Sequence, residues 1–594
     1  YIFFVSSFVV QLRVPSLLST MARAASSGSS ASAPGAGYAT SRLFAFCFAF
    51  RLANAFAVRT YFNADEFWQG PEVAHRAVFG YGHLTWEWHR GLRGYAHVAI
   101  FAGVYKLAAV LGADTTFVIA WGPRVAQAAI AAVGDVYTHE LARRWFRSAS
   151  AARYAAFCSL TCWFNFFCGV RTFSNCLEAV LTAAALAHWP WGRAEAGGDG
   201  GPASDRNHDE ALFRDRRENR RRAVAFAGAA CLIRPTAATY FLPLFVTELR
   251  RTRAKTTFLC LECLPVFVAA VTLGVVVDYA FSGAVYVAAW NFFKFNVAEG
   301  GSAAYGTHPW HWYLTQGFPA VATCFAPLAF FGCVSGTLKG ARAWEPFAVT
   351  LYCVLGYSLA AHKEFRFLMP ALPPTLAAAG GALAAWQADP KTAWRTRRAV
   401  ALVLLTQIPA AAYLSWWHQS GTVAAVRHVA ELAAEGKVNA GGVFFATPCH
   451  QHPFHSHAHL PTRVPVPMSF LECPPASAEG RAEHEPDEAD RFFADPETFL
   501  DTRFPRDGAD GAPSHVVLFD GTSRDAGMKR WLEKWGFEVH KRLFHAHFAV
   551  DRELQAEVLV FARPVAARYA EAPETRASPE TPETRREENK QDEL

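Results

Sequence analysis

Residues 223–247 read AVAFAGAACLIRPTAATYFLPLFVT, an apolar run interrupted near its middle by Arg234-Pro235. It lies between two basic clusters, Arg214 to Arg222 (RDRRENRRR) and Arg250 to Lys255. Short cytoplasmic loops of membrane proteins collect Lys and Arg, so one straight crossing would place these clusters on opposite sides. Proline removes a helical N–H donor and pushes the residue before it out of helical geometry. The stretch therefore reads as two half-helices that enter and return, with Arg234 at the break and both clusters on one side. This reading makes the chain a multi-span α-helical membrane protein whose basic loops share a face.

The composition agrees. Of 594 residues, 52% are AVILMFWYC and 18% are charged, against roughly 45–50% apolar, Gly included, and roughly 25% charged in soluble domains. The 49 Phe and 18 Trp suit a lipid-facing surface with interfacial anchors. Disorder, coiled coil and a disulfide-dense secreted scaffold are disfavoured. The net charge of +6 comes in bursts between apolar runs, which is topology rather than the footprint of a nucleic-acid partner.

A spanning helix needs about 20 mostly apolar residues. About 11 membrane segments are expected, at 41–60, 96–111, 115–134, 150–169, 174–190, 223–247, 257–281, 317–336, 345–361, 366–386 and 398–417, the broken pair included. Segment 96–111 is short, follows Arg90 and Arg93 and carries Lys106, so it is expected flat at the interface. Five basic clusters then face the cytoplasm: Arg143, Arg144 and Arg147; Arg214 to Arg222, within loop 191–222; Arg250 to Lys255; Lys339 to Arg342; and Lys391 to Arg398. Loops 61–112, 282–316 and 362–365 face the other side, which in an internal membrane is the lumen of the endoplasmic reticulum.

Four regions follow. Residues 1–40, with Met21 and a Ser/Ala/Gly-rich stretch, are expected to be disordered or artefactual; 41–417 form the membrane body. Residues 418–565 are expected to fold as a small luminal α/β domain, from β-like runs at Gly442 to Thr447, His515 to Asp520 and Val558 to Arg563. The tail 566–594 is expected to be disordered; its end, Gln591-Asp592-Glu593-Leu594, is similar to a KDEL-type retrieval signal, which is read in the lumen.

The chemistry concentrates in the non-cytoplasmic loops. The first opens RTYFNADEFWQGPEV (residues 59–73), with Asp65 and Glu66 close to a span end; such acids are either a solvated loop or a catalytic pair. Phe67, Trp68, Gln69 and LTWEWH (84–89) form aromatic surface suited to carbohydrate or headgroups, or an aromatic belt. The second, NFFKFNVAEGGSAAYGTHPWHWYLTQGFP (291–319), offers Lys294, His308 and His311 as cations or proton carriers. The third, HKEFRF (362–367), sets His362, Lys363 and Arg366 around Glu364, either a phosphate site or an ion-pair knot. The chain has no Asp-x-Asp and no GxxxxGK[ST] loop, so a metal-held nucleotide donor or ATP coupling has no support, while a lipid-linked donor does not need either. Cys449 and Cys473 are candidates for a disulfide, although spacing leaves open whether they meet. His450, His452, His455, His457 and His459 invite either a zinc reading or a loop packed over the site.

DEFWQ, LTWEW, IRPTA and HKEFRF resemble motifs of glycosyltransferase family 22, the mannosyltransferases of the endoplasmic reticulum that use dolichyl phosphate mannose and have the GT-C fold. NFFKFN, YGTHPWHWYLTQGFP and ATPCHQHPFHSHAH resemble the branch that adds the third mannose of the GPI-anchor precursor. The resemblance runs from about Arg51 to Arg563. It implies an inverting single displacement that forms an α-1,2 linkage, with dolichyl phosphate mannose as donor, the GPI lipid intermediate as acceptor, and no metal or other cofactor. Asp65 matches the catalytic base, with Glu66 orienting it or substituting for it; Ala64 stands where the family often has Pro. Arg234, Lys294, His308, His311, His362, Lys363 and Arg366 are the candidates for donor-phosphate and headgroup binding. The alternatives are a related member acting on the N-glycan lipid precursor, and a multi-span transporter or scrambler.

Overall fold

The computed structural model describes residues 35–191, 203–338, 344–460, 465–475, 485–505, 512–548 and 555–563. The N-terminal stretch 1–20, the Lys339 to Arg342 cluster and the tail with its last four residues lie outside them. In the deciding stretch, the helix Ala203–Ile233 stops one residue before Arg234, and a second helix, Ala237–Arg251, begins after Pro235 and Thr236. Two helices with Arg234 at their junction are thus present, as the missing proline N–H demands.

The expected loop 191–222 is helical from residue 203 and continuous with the apolar half. Among its described side chains, Glu218 holds Arg222 one turn on, and Arg220 reaches Glu248 at 3.0 Å and Glu262 at 2.7 Å.

Four helices among the described residues are long and apolar enough to cross a membrane: Thr116–Phe146, Lys255–Ser282, Phe365–Ala388 and Ala393–Ala434. Tyr313–Ala322 and Phe325–Ser335 form a further pair bent by 91°. Lys255–Ser282 is only 6% buried over its most apolar window, so its Leu261, Phe267, Leu273 and Val276 face outward as a lipid-exposed helix does; Phe365–Ala388 is 89% buried and forms the centre. The expected segment 150–169 is divided at Cys162 into Ala149–Thr161 and Trp163–Cys168, and 96–111 is the short helix Val98–Val110. Small residues let the central helices touch. A Cβ on Gly380 would stand 2.4 Å from the Ala155 nitrogen, and packing inside a membrane relies on such close backbone approach.

The C-terminal part carries a five-stranded sheet: β1 Val443–Phe445, β2 Met468–Phe470, β3 His515–Phe519, β4 Glu538–Phe544 and β5 Glu557–Ala562, in the order β2-β1-β3-β5-β4. β1 is parallel to β2 and β3, while β5 is antiparallel to β3 and β4. Side chains alternate across the sheet. Phe444, Val516, Leu518 and Phe561 pack on Trp531 and Leu532. Phe445, Val517, Phe519 and Val560 pack on the helix Gly421–Ala434 and, beyond it, on Tyr61, Phe67 and Trp68 of the first loop. One face of the sheet is therefore part of the floor beneath the acid pair.

Candidate functional site

The loop bearing the acid pair is pinned before it begins. Arg59 N donates to Ser415 O and Tyr61 N to Gln419 O, both at 2.8 Å, and Thr60 Oγ1 donates to Leu414 O at 2.6 Å. Asn63 then accepts from Asp65 N at 3.0 Å and donates to Glu364 Oε2 at 3.1 Å, which starts the short helix Asp65–Trp68. On the far side of that helix Trp68 Nε1 donates to His452 O at 3.0 Å.

Successive residues of a helix point in different directions, and here the two acids separate. Glu66 is 0% exposed; Arg124 reaches one of its oxygens at 2.7 Å and Arg171 the other at 2.6 Å. Both Glu66 oxygens are thus occupied, and its backbone carbonyl accepts from Thr172 Oγ1. The Asp65 side chain remains 22% exposed, with Oδ2 2.6 Å from Arg366.

Arg366 also grips Glu364, Nε to Oε2 at 2.6 Å and Nη2 to Oε1 at 2.5 Å, and His362 Nε2 lies 3.0 Å from Glu364 Oε1. HKEFRF is thus an ion-pair knot centred on Glu364 and joined to Asp65 through Arg366. Burial raises the Glu364 carboxyl, but Arg366 and His362 outweigh it and hold the group below the usual carboxylate range. Lys363 points away from this knot. Its Nζ donates to the carbonyls of His308, at 2.9 Å, and Ala360, tying the second loop to the third. His308 stacks on Trp312 with centroids 4.6 Å apart. Lys294 and His311 stay at the surface beside Glu299 and Thr315, and the structure does not bring them to the acid.

A cavity of about 280 Å³ opens between the Arg234 break, the helix Lys255–Ser282 and the first loop, lined among others by Gln69, Trp88, Arg93, His97, Ser174 and Arg234. Arg234 Nε stands 3.1 Å from Glu178 and Nη1 donates to Ser174 Oγ at 3.0 Å. Phe367 lies between two guanidiniums, 5.5 Å from Arg234 and 5.3 Å from Arg366, so the cavity borders the knot. Arg93, which sequence reasoning treats only as a loop cation, enters from the first-loop wall. Glu87 holds it at 2.7 Å and is itself held by Tyr305 Oη at 3.1 Å. Burial lowers the Arg93 guanidinium, yet the charges of Glu87 and then Asp65 outweigh it and raise it above its ordinary range. The signal that would have found Arg93 is the acid of LTWEW six residues before it.

The histidine run is a strap over the first loop. A disulfide between Cys449 and Cys473, with Cα atoms 6.1 Å apart, tethers its start. Glu72 accepts from Phe454 N at 2.7 Å and from the Ser456 N and Oγ, and His75 Nε2 meets His459 Nδ1 at 3.0 Å. Burial pushes His75 and His450 down to about 3 and His452 and His455 down to about 4, so the rings pack as neutral groups. Cys449, His450 and Cys473 lie together, but the two sulfurs are bonded to each other rather than presented as thiolates.

The sequence pattern of the Alg9-like mannosyltransferase family matches residues 42–459, from the first helix through the end of the strap. The chain belongs to that family. Mannosyltransferase APTG1 of Arabidopsis thaliana is 37% identical over 539 residues, covering 88% of this chain and 92% of its own length. GPI alpha-1,2-mannosyltransferase 3 of Danio rerio is 36% identical, covering 86% and 88%, and that of Homo sapiens 32%, covering 89% and 88%. Among solved structures, ArnT from Cupriavidus metallidurans bound to undecaprenyl phosphate superposes with a TM-score of 0.54 over 88% of this chain and 98% of ArnT. At 13% identity that likeness is one of fold. For an Alg9-like mannosyltransferase, the match places Asp65, the knot, the cavity and the strap inside the shared region.

Proposed function

We propose that this chain is an α-1,2-mannosyltransferase that adds the third mannose of the GPI-anchor precursor, taking it from dolichyl phosphate mannose at the luminal face of the endoplasmic reticulum membrane. Relatives named GPI alpha-1,2-mannosyltransferase 3, aligned over most of both chains, support the acceptor. The observation that carries the chemistry is the partly open Asp65 carboxylate, held by Arg366, whose neighbour Phe367 also meets Arg234 of the cavity wall.

The acceptor hydroxyl gives its proton to Asp65 as its oxygen attacks the anomeric carbon. The bond from that carbon to the phosphate oxygen breaks, and the electron pair leaves with dolichyl phosphate. One displacement inverts the β-linked donor to an α-linked product. Asp65 acts as general base. The leaving phosphate needs charge stabilisation, which Arg234 and Arg93 supply from opposite walls. A guanidinium at membrane depth requires a partner, and Glu178 is the partner of Arg234. Arg366 holds the Asp65 carboxylate in place.

The test uses microsomes from cells lacking the third GPI mannosyltransferase, supplied with this chain and dolichyl phosphate mannose. Conversion of the two-mannose GPI lipid to the three-mannose lipid is the expected result. A well-expressed chain that leaves this lipid unchanged, or that extends the N-glycan lipid precursor instead, would overturn the proposal.

A further inference from the structure

The first-loop wall of the 280 Å³ cavity carries four polar atoms that have no hydrogen-bond partner among the described residues: Gln69 Nε2, Arg93 Nε and both ring nitrogens of His97. Gln69 is 9% exposed and His97 3%. A buried polar group left unpaired is costly. Gln69 and His97 both line this cavity, so a ligand there can supply the partners they lack.

The two sides of the cavity differ chemically. Arg234 is already charge-paired with Glu178 and bonded to Ser174, and its strength is its positive charge. Gln69 and His97 are neutral: burial, and then the charge of Arg234, pushes the His97 imidazole down to about 3. A neutral imidazole presents one N–H and one lone pair, and a carboxamide presents both as well. That combination suits a hydroxyl, which both donates and accepts, better than a phosphate, which mainly accepts. Trp88 lines the same wall and is fixed there by its indole N–H on Trp68 O at 3.2 Å, so an aromatic surface stands beside the two neutral groups. The volume, about 280 Å³, lies just below the usual range of ligand sites, roughly 300–1,000 Å³, and is small for a whole glycan.

We propose that Gln69 and His97 read the hydroxyl groups of the donor hexose in this cavity, leaving its phosphate to Arg93 and Arg234. The assignment rests on the donor reading above. Gln69 is four residues from the base Asp65 on the same short loop, so the residue that reads the sugar and the residue that takes the proton are positioned together.

Donor analogues separate sugar from phosphate. The KM for dolichyl phosphate mannose, and the inhibition constant of dolichyl phosphate, which has no sugar, are measured in microsomes carrying wild-type, Gln69→Met or His97→Phe chains. Each substitution is expected to raise the donor KM about tenfold, the worth of one or two neutral hydrogen bonds, while inhibition by dolichyl phosphate stays as in wild type. That unchanged inhibition also reports a folded site. His97→Gln, which restores a donor and an acceptor, is expected to recover most of the loss. Arg234→Gln is expected to weaken donor and dolichyl phosphate together. The inference is overturned if the Gln69 and His97 variants weaken both ligands in parallel, or weaken neither. A wild-type chain that transfers no mannose and is not inhibited by dolichyl phosphate overturns the underlying donor reading, a different result from either.

Discussion

Asp65 and Glu66 are adjacent in the chain and differ in surroundings: Glu66 is buried between two arginines, while Asp65 is partly open beside Arg366. Asp65→Asn is expected to lower mannose transfer by about 10²–10⁴-fold, as loss of the proposed base would. Glu66→Gln breaks a buried pair shared by two arginines, so the expected readout is a loss of about 3–5 kcal/mol of stability, seen as a lower melting temperature and poor recovery in detergent. The acid pair is legible in the sequence as a motif; the division of labour is not. Glu66's partners come from 58 and 105 residues further along, and only the folded bundle brings them to it. Arg93 escapes for the same reason. In sequence it is a loop cation before an apolar stretch, and its clamp is completed by Tyr305, 218 residues from Glu87.

The elements that sequence reads well are those set by local chemistry. Arg234-Pro235 dictates a helix break wherever it lies, and the apolar runs dictate helices. β2, at three residues, and β4, with the polar sequence EVHKRLF and almost every residue exposed, carry no alternating pattern that would announce them. The strap is an element of a third kind, held by one covalent link and by Glu72. Its disulfide closes a loop with a sequence separation of 24, and cross-links of that size stabilise by about 3 kcal/mol in the chain-entropy account. Cys473→Ser is therefore expected to lower the melting temperature and to make the 448–459 segment accessible to protease, with transfer activity falling in step; an unaltered digestion pattern would show that the disulfide does not hold the strap.

The seam between strap and first loop contributes to the response to acid. His75, His450, His452 and His455 stay neutral down to about 3 or 4 when folded, against 6.5 for the free side chain. Between those values the unfolded chain binds more protons than the folded one, so stability falls as pH drops, at about 1.4 kcal/mol per unit for each group. Burial pushes Glu72 up to about 7, which acts in the opposite sense between 7 and 4.5, but it is one group against four. The melting temperature of the solubilised protein is expected to be lower at about pH 5.5 than at about pH 7.5; a rise on acidification would mean that Glu72 dominates. The seam also has a history in time. Trp68, Glu72 and His75 each bond a residue 384 positions later. With synthesis at about 5–20 residues per second, the loop waits roughly 20–80 s for those partners to be made. The loop that carries the proposed base is thus translated well before the residues that finish it, and until then any chaperone that shelters it must cover a tryptophan, a carboxylate and an imidazole whose permanent neighbours do not yet exist.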